Sequence, residues 1–171
     1  MPISSPEGKD WTRSRITDLA PASVLDVGAG AGTYAKLLAG ARPARLVALE
    51  VFEPYVETYR LRELYDEVLL GDARTTDLPA ADVVVLGDVA EHMTVEEAQD
   101  LWRRAGEAAG RAVYMSIPIV HYPQGELEHN HHEVHVVDDW DHDKVLAAFP
   151  GITDFFRGEV VGVYERRTDR G

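Results

Sequence analysis

The sequence predicts an α/β fold: a doubly wound, mostly parallel seven-stranded sheet with an antiparallel last strand and helices on both faces. Short apolar runs alternate with helical patterns along most of the 171 residues. Two of these runs, Leu46-Val47-Ala48-Leu49 and Val83-Val84-Val85-Leu86, are continuous rather than alternating, as strands buried on both sides are. Near the C-terminus, two strands are separated only by a turn at Gly158 with no helix between them, which predicts an antiparallel hairpin at one edge.

Taken in order, a helix over Trp11 to Leu19 precedes the first strand, Ser23 to Val27, which empties into a glycine-rich turn and a helix from Thr33 to Ala39. The second strand, Arg45 to Glu50, leads to a helix over Pro54 to Leu64, and the third, Glu67 to Leu70, ends on Gly71-Asp72-Ala73. The fourth strand, Asp82 to Leu86, is followed by a helix over Val95 to Ala109, with Thr94 as its N-cap and Glu96 and Glu97 in its first turn. The fifth, Ala112 to Ile117, leads through a histidine-rich stretch to a helix over His142 to Ala148 and then the hairpin of Thr153 to Phe156 with Val160 to Glu165. Trp140, just before that helix, is expected in the core.

Length and composition set limits on function. The chain is expected to form one domain over residues 1–171, with residues 1–10 flexible, leaving no room for a separate substrate domain. No apolar run is long enough to cross a membrane, the N-terminus lacks the apolar core of a signal peptide, and there is no cysteine, so a soluble cytoplasmic protein is expected. A formal charge of −13 disfavours nucleic acid as a partner. The lack of cysteine also argues against reactions in which a thiolate adds covalently to a pyrimidine ring.

The turn Gly28-Ala29-Gly30-Ala31-Gly32 has the pattern Gly-x-Gly-x-Gly, with Thr33 standing where a dinucleotide fingerprint carries its third glycine. The pattern favours a ligand without a pyrophosphate. With Asp26 two residues before Gly28, the segment resembles motif I of the class I S-adenosylmethionine-dependent methyltransferases, and the hairpin-ended strand order extends the likeness from Trp11 to Arg166. The resemblance implies S-adenosylmethionine as cofactor and S-adenosylhomocysteine as product.

In an open parallel sheet, ligands bind outside the carboxyl ends of the strands where the strand order reverses. Glu50 at the end of the second strand is placed to accept hydrogen bonds from both ribose hydroxyls, and Val51 or Phe52 to offer an apolar face to the adenine. Asp72, beside Ala73, resembles the family acid that binds the adenine amino group, and Asp88 follows the fourth strand.

The segment Asp88-Val89-Ala90-Glu91-His92 resembles the Asp-x-x-Glu-His signature of small-molecule methyltransferases and differs from the Asn-Pro-Pro-Tyr loop used on adenine in DNA. Six of the seven histidines, all but His142, fall at or beyond the carboxyl ends of the fourth and fifth strands. Methyl transfer to oxygen or nitrogen needs positioning and removal of a proton, which a neutral imidazole can perform. The candidate base is His92 or His121. Glu91 would hold its tautomer or contact the substrate, and Tyr122, His132 and His135 would line the substrate pocket.

A second reading of the histidine-rich stretch is a metal site, since several His and Glu within ten residues could bind zinc, nickel or iron, or nearby carboxylates a magnesium ion. Because His129-x-His131-His132-x-x-His135 fits no zinc signature, an inert lid over the pocket is expected instead and no metal centre. The partner is a small molecule, and the pocket is expected to be open or completed by a second copy of the chain as a homodimer. The rival readings are a nicotinamide-dependent oxidoreductase, which Thr33 disfavours, and a non-catalytic protein that binds the same cofactor.

Overall fold

The structure is a computed structural model and describes residues 5–168. Strands β1 (Ser23–Val27), β2 (Arg45–Glu50), β3 (Glu67–Leu70), β4 (Ala81–Gly87) and β5 (Ala109–Pro118) run parallel. Strand β7 (Val161–Arg167) is antiparallel to both β5 and its hairpin partner β6 (Asp154–Arg157). The sheet order is β3-β2-β1-β4-β5-β7-β6, a mostly parallel seven-stranded sheet with the antiparallel terminal hairpin that the sequence predicts. Strand order reverses between β1 and β4, so the carboxyl ends of these two strands diverge into the loops that face a ligand.

Among the described residues, six α-helices cover the sheet: α1 (Lys9–Leu19), α2 (Thr33–Leu37), α3 (Glu53–Thr58), α4 (Leu61–Leu64), α5 (Val95–Ala108) and α6 (His142–Ala148). The continuous apolar strands divide their side chains between two cores. Leu25 and Val27 of β1 join Leu101, Trp102 and Ala105 of α5 and Val145 of α6 on one side. Val24 joins Ile16, Tyr34, Val56 and Leu61, from α1 through α4, on the other. Trp140 packs in the first core, 4% exposed, against Phe149.

Three local departures have physical causes. The helix expected over Pro54 to Leu64 is two, broken at Arg60 with φ 54°. Val56 and Leu61 are both buried, and residues five apart on one continuous helix point to different sides, so the chain turns to bury both. Helix α2 ends at Leu37 and tightens into a single turn at Ala39–Ala41. Ala109, expected to close α5, already has extended backbone and opens β5 without a loop.

Of residues 1–10, expected to be flexible, 1–4 lie outside the described residues. The rest of that stretch is tied down. Glu7 accepts the backbone N–H groups of Val160 and Val161, both at 2.8 Å, and Lys9 opens α1 with only 6% of its surface exposed. Among the described residues, no helix is long and apolar enough to cross a membrane.

Helix α5 begins with a capping box in which Thr94 Oγ1 accepts from Glu97 N at 3.3 Å and Glu97 accepts from Thr94 N at 2.9 Å. Replacing Thr94 with alanine removes the acceptor for Glu97 N and leaves that donor to water, while the backbone N–H at position 94 keeps its bond to the Glu97 carboxylate; the change should lower the unfolding free energy by about 1 kcal/mol in urea titrations, with an unchanged m-value.

Candidate functional site

The loops after β1 to β5 enclose one cavity of about 440 Å³, a volume suited to a small-molecule ligand. Its floor is the glycine turn. Gly28 and Gly32 both have φ 72°, in the left-handed region, and neighbours also exclude a side chain at each. A Cβ on Gly28 would stand 2.4 Å from Val89 Cγ2, and one on Gly32 would stand 2.5 Å from Leu64 Cδ1. Gly28 and Gly30 line the cavity, whereas Gly32 lies outside the lining as the N-cap of α2.

Glu50 is 4% exposed yet reaches the cavity. Its Oε2 accepts from Gly30 N and its Oε1 from Phe52 N, each at 2.8 Å, and burial raises its pKa. Each oxygen retains a lone pair for a ligand hydroxyl. Val51 lines the cavity, while Phe52 does not and packs edge-on against Tyr55 at 4.8 Å. Asp72 and Ala73 line it after β3. Arg74 grips the Asp72 carboxylate through Nη2 at 2.6 Å and Nε at 3.0 Å, which holds that carboxyl below its usual range.

Asp88, after β4, has φ 55°, a strained value for a residue other than glycine. Its Oδ1 accepts from Ser116 Oγ at 2.6 Å, and its Oδ2 lies 3.3 Å from Lys9 Nζ. Lys9 also donates to the Tyr34 hydroxyl at 3.3 Å. Burial works against the ammonium, but Tyr34 and Asp88 more than offset it and its pKa is raised. Nothing in the sequence around Lys9 marks it as a cavity residue; α1 brings it there from the far end of the chain.

The next turn, Ala90–His92, carries the two residues expected to do chemistry. The Glu91 carbonyl accepts from Val136 N at 2.8 Å and Val137 N at 3.2 Å, which clasps the segment after β5 onto this turn. His92 Nδ1 lies 3.1 Å from the Val134 carbonyl and His135 Nδ1 lies 2.6 Å from that of Tyr122. A carbonyl can only accept, so Nδ1 carries the proton in each ring and Nε2 is left with a lone pair. The rings sit 5.0 Å apart, and burial lowers the pKa of both. Glu91 is 2% exposed and its Oε2 has no hydrogen-bond partner; burial first, then the Asp88 charge, raises its pKa well above the usual range.

Tyr122 and His132 also line the cavity. His121 does not: its side chain is 71% exposed, with Nδ1 3.8 Å from Asp138, so the structure separates it from His92. Tyr55, Asn130 and Glu133, which sequence reasoning passed over, join the lining, and Asn130 is buried with its Oδ1 accepting from His132 N at 3.0 Å.

Residues 25–113 match a family model described as a methyltransferase domain, which is more than half of the chain. The chain belongs to the methyltransferase-domain family. No curated protein matches this methyltransferase in sequence. Solved structures share its fold. The N-terminal domain of EvdMO1 with S-adenosylhomocysteine bound is 16% identical, with a TM-score of 0.69 over 96% of this chain and 82% of that one. Magnesium protoporphyrin IX methyltransferase (ChlM) from Synechocystis PCC 6803 is 15% identical, with a TM-score of 0.68 over 94% and 82%. CalS10, an amino pentose methyltransferase from Micromonospora echinaspora, is 16% identical, with a TM-score of 0.64 over 94% and 92%.

Asp26 of this methyltransferase, expected at the cofactor, does not line the cavity. It is 1% exposed, accepts from the Tyr65 hydroxyl at 2.5 Å, and leaves Oδ1 without a hydrogen-bond partner. Burial outweighs the help of Tyr65 and Lys9 and pushes its pKa up to about 7. Because the folded value lies above the unfolded one of about 3.9, the folded state holds the proton more tightly. Stability from this group is therefore full below about pH 4, falls as pH rises toward about 7, and is level above that. Asp26→Asn keeps an acceptor for Tyr65 and removes the titration. Thermal midpoints measured across this range should decline less steeply for the variant than for wild type; parallel declines would mean that Asp26 is ionised throughout.

Proposed function

We propose that the chain transfers the methyl group of S-adenosylmethionine to an oxygen or nitrogen of a small metabolite, with His92 taking the acceptor's proton. The observation that carries this reading is that a half-buried imidazole with Nδ1 tied to a carbonyl shares one cavity with a glycine turn and a buried carboxylate. The residues present fit the cofactor. The turn at Gly28 and Gly30 leaves main chain open to its methionine portion, Glu50 has acceptor capacity for a pair of ribose hydroxyls, and Asp72 for the adenine amino group. Bound there, the cofactor supplies a methyl carbon on a positively charged sulfonium, whose sulfur departs as a neutral thioether.

The chain's own work is positioning and proton removal. Lowering of its pKa by burial keeps His92 neutral at physiological pH and ready to accept a proton at Nε2. The resulting imidazolium would keep its Nδ1–H bond to Val134, which strengthens as the ring gains charge. Tyr122, His132 and His135 are placed to contact the acceptor. A small acceptor agrees with a cavity of about 440 Å³ and with a net charge of −13, which repels polyanions.

Calorimetric titration tests the cofactor first. S-Adenosylmethionine and S-adenosylhomocysteine should bind with micromolar affinity, and Gly30→Val, which puts a β-branched residue at φ 49°, should weaken both by about tenfold or more. No heat with either ligand would remove the proposed cofactor. Once an acceptor is found, His92→Ala should cut turnover by about a hundredfold while S-adenosylhomocysteine affinity stays within about twofold. Equal turnover in the variant would remove His92 from the chemistry.

A further inference from the structure

We propose that Glu91, His92 and His135 form a binding site for a divalent first-row transition cation, such as Zn2+, at the acceptor end of the cavity. The inference rests on the reading that this end of the cavity receives the methyl acceptor, and it replaces proton removal by His92 with activation of the acceptor by the cation whenever the cation is bound. One potential ligand atom from each of the three side chains lies within 4.8 Å of the others. A tetrahedral site with bonds of about 2.1 Å has ligand separations of about 3.4 Å, a difference that modest side-chain rotation closes.

Three observations point to a cation rather than to a chance cluster. Both imidazoles donate Nδ1–H to backbone carbonyls, of Val134 and Tyr122, the outer-shell arrangement that fixes the tautomer and aims Nε2 at a metal. Glu91, 2% exposed, carries an oxygen with no hydrogen-bond partner, which is costly in a protein interior unless something compensates it. The Glu91 carbonyl holds Val136 and Val137, so the ligands from two distant loops are braced on each other.

Two imidazoles and one carboxylate suit Zn2+, Fe2+, Co2+ or Ni2+ better than Mg2+ or Ca2+, which favour oxygen ligands. Asp88 is not counted among the ligands, since Ser116 and Lys9 hold its carboxylate. All three side chains line the cavity, so coordination positions left by the protein face the acceptor. A cation there would lower the pKa of an acceptor hydroxyl, whose proton would leave to solvent. That oxygen then bonds to the methyl carbon as the carbon–sulfur pair returns to sulfur. With the cation present, His92 Nε2 is a ligand and the role of base passes from it.

The test uses the full chain stripped with a chelator and titrated with Co2+, whose visible spectrum reports nitrogen and oxygen coordination. One equivalent should produce ligand-field bands that Zn2+ abolishes and excess Mg2+ does not. His135→Ala and Glu91→Gln should each weaken Co2+ binding by about tenfold or more, while S-adenosylhomocysteine affinity, measured on the same samples, stays near wild type. A wild-type chain without Co2+ bands overturns the site. So does an unchanged Co2+ affinity in His135→Ala, which would place the metal on the exposed histidines. If Glu91→Gln does not fold, His135→Ala decides alone. Loss of S-adenosylhomocysteine binding by wild type with intact Co2+ bands would sink the cofactor reading and leave the metal site standing.

Discussion

The site depends on how closely the turns after β1 and β4 approach each other. These strands pair in parallel, with Val27 beside Leu86, and the next residues are pressed together so tightly that Gly28 has no room for a Cβ against Val89. The glycine turn and the Asp88–His92 segment are therefore fixed relative to one another by the most buried part of the sheet. In-line methyl transfer tolerates little error in the placement of its partners, and a close-packed interior is what can hold two loops to such a tolerance. The positive φ of Gly28 and the strained φ of Asp88 are two consequences of turning both chains out of the sheet within so little space.

The electrostatics of the cavity follow from the same crowding. Glu50, Asp88, Glu91 and Glu133 all reach it, and Lys9 is the buried cation among them. Burial raises the pKa of Glu50, Glu91 and Glu133, so the walls resist carrying their full negative charge when nothing cationic is present. A ligand bearing positive charge would relieve that resistance, and one that loses its charge in the reaction would lose the relief. The Lys9 ammonium limits the excess on the Asp88 side, where it pairs at 3.3 Å.

Much of the fold was legible because its determinants are local. Continuous apolar runs mark strands buried on both faces, and the Thr94 capping box marks where α5 starts. Gly28, Gly30, Glu50 and Asp72 follow strand ends that the local sequence marks, and all four line the cavity. What was not legible depends on contacts between distant segments. Tyr65 claims Asp26 from another element, so an acid two residues before the turn ends in the core rather than at the ligand. His121 and His135 look alike in a histidine-rich stretch, yet only His135 lies against His92, because the Glu91 carbonyl holds residues 136 and 137.

The same clasp explains why spacing within the histidine-rich run carried so little information. A ligand set assembled from one segment shows itself as a short-range pattern, but Glu91 and His92 sit forty-odd residues before His135. Their proximity is written in two backbone hydrogen bonds from Val136 and Val137 and in the carbonyls of Val134 and Tyr122, none of which depends on side-chain identity. Backbone groups thus set both the tautomer of each imidazole and the distance between them, leaving the side chains free to differ in what they meet. The chemistry of this end of the cavity is governed by how one loop is draped over another, and substitutions that alter the course of residues 134–137 should matter to it as much as changes in the histidines themselves.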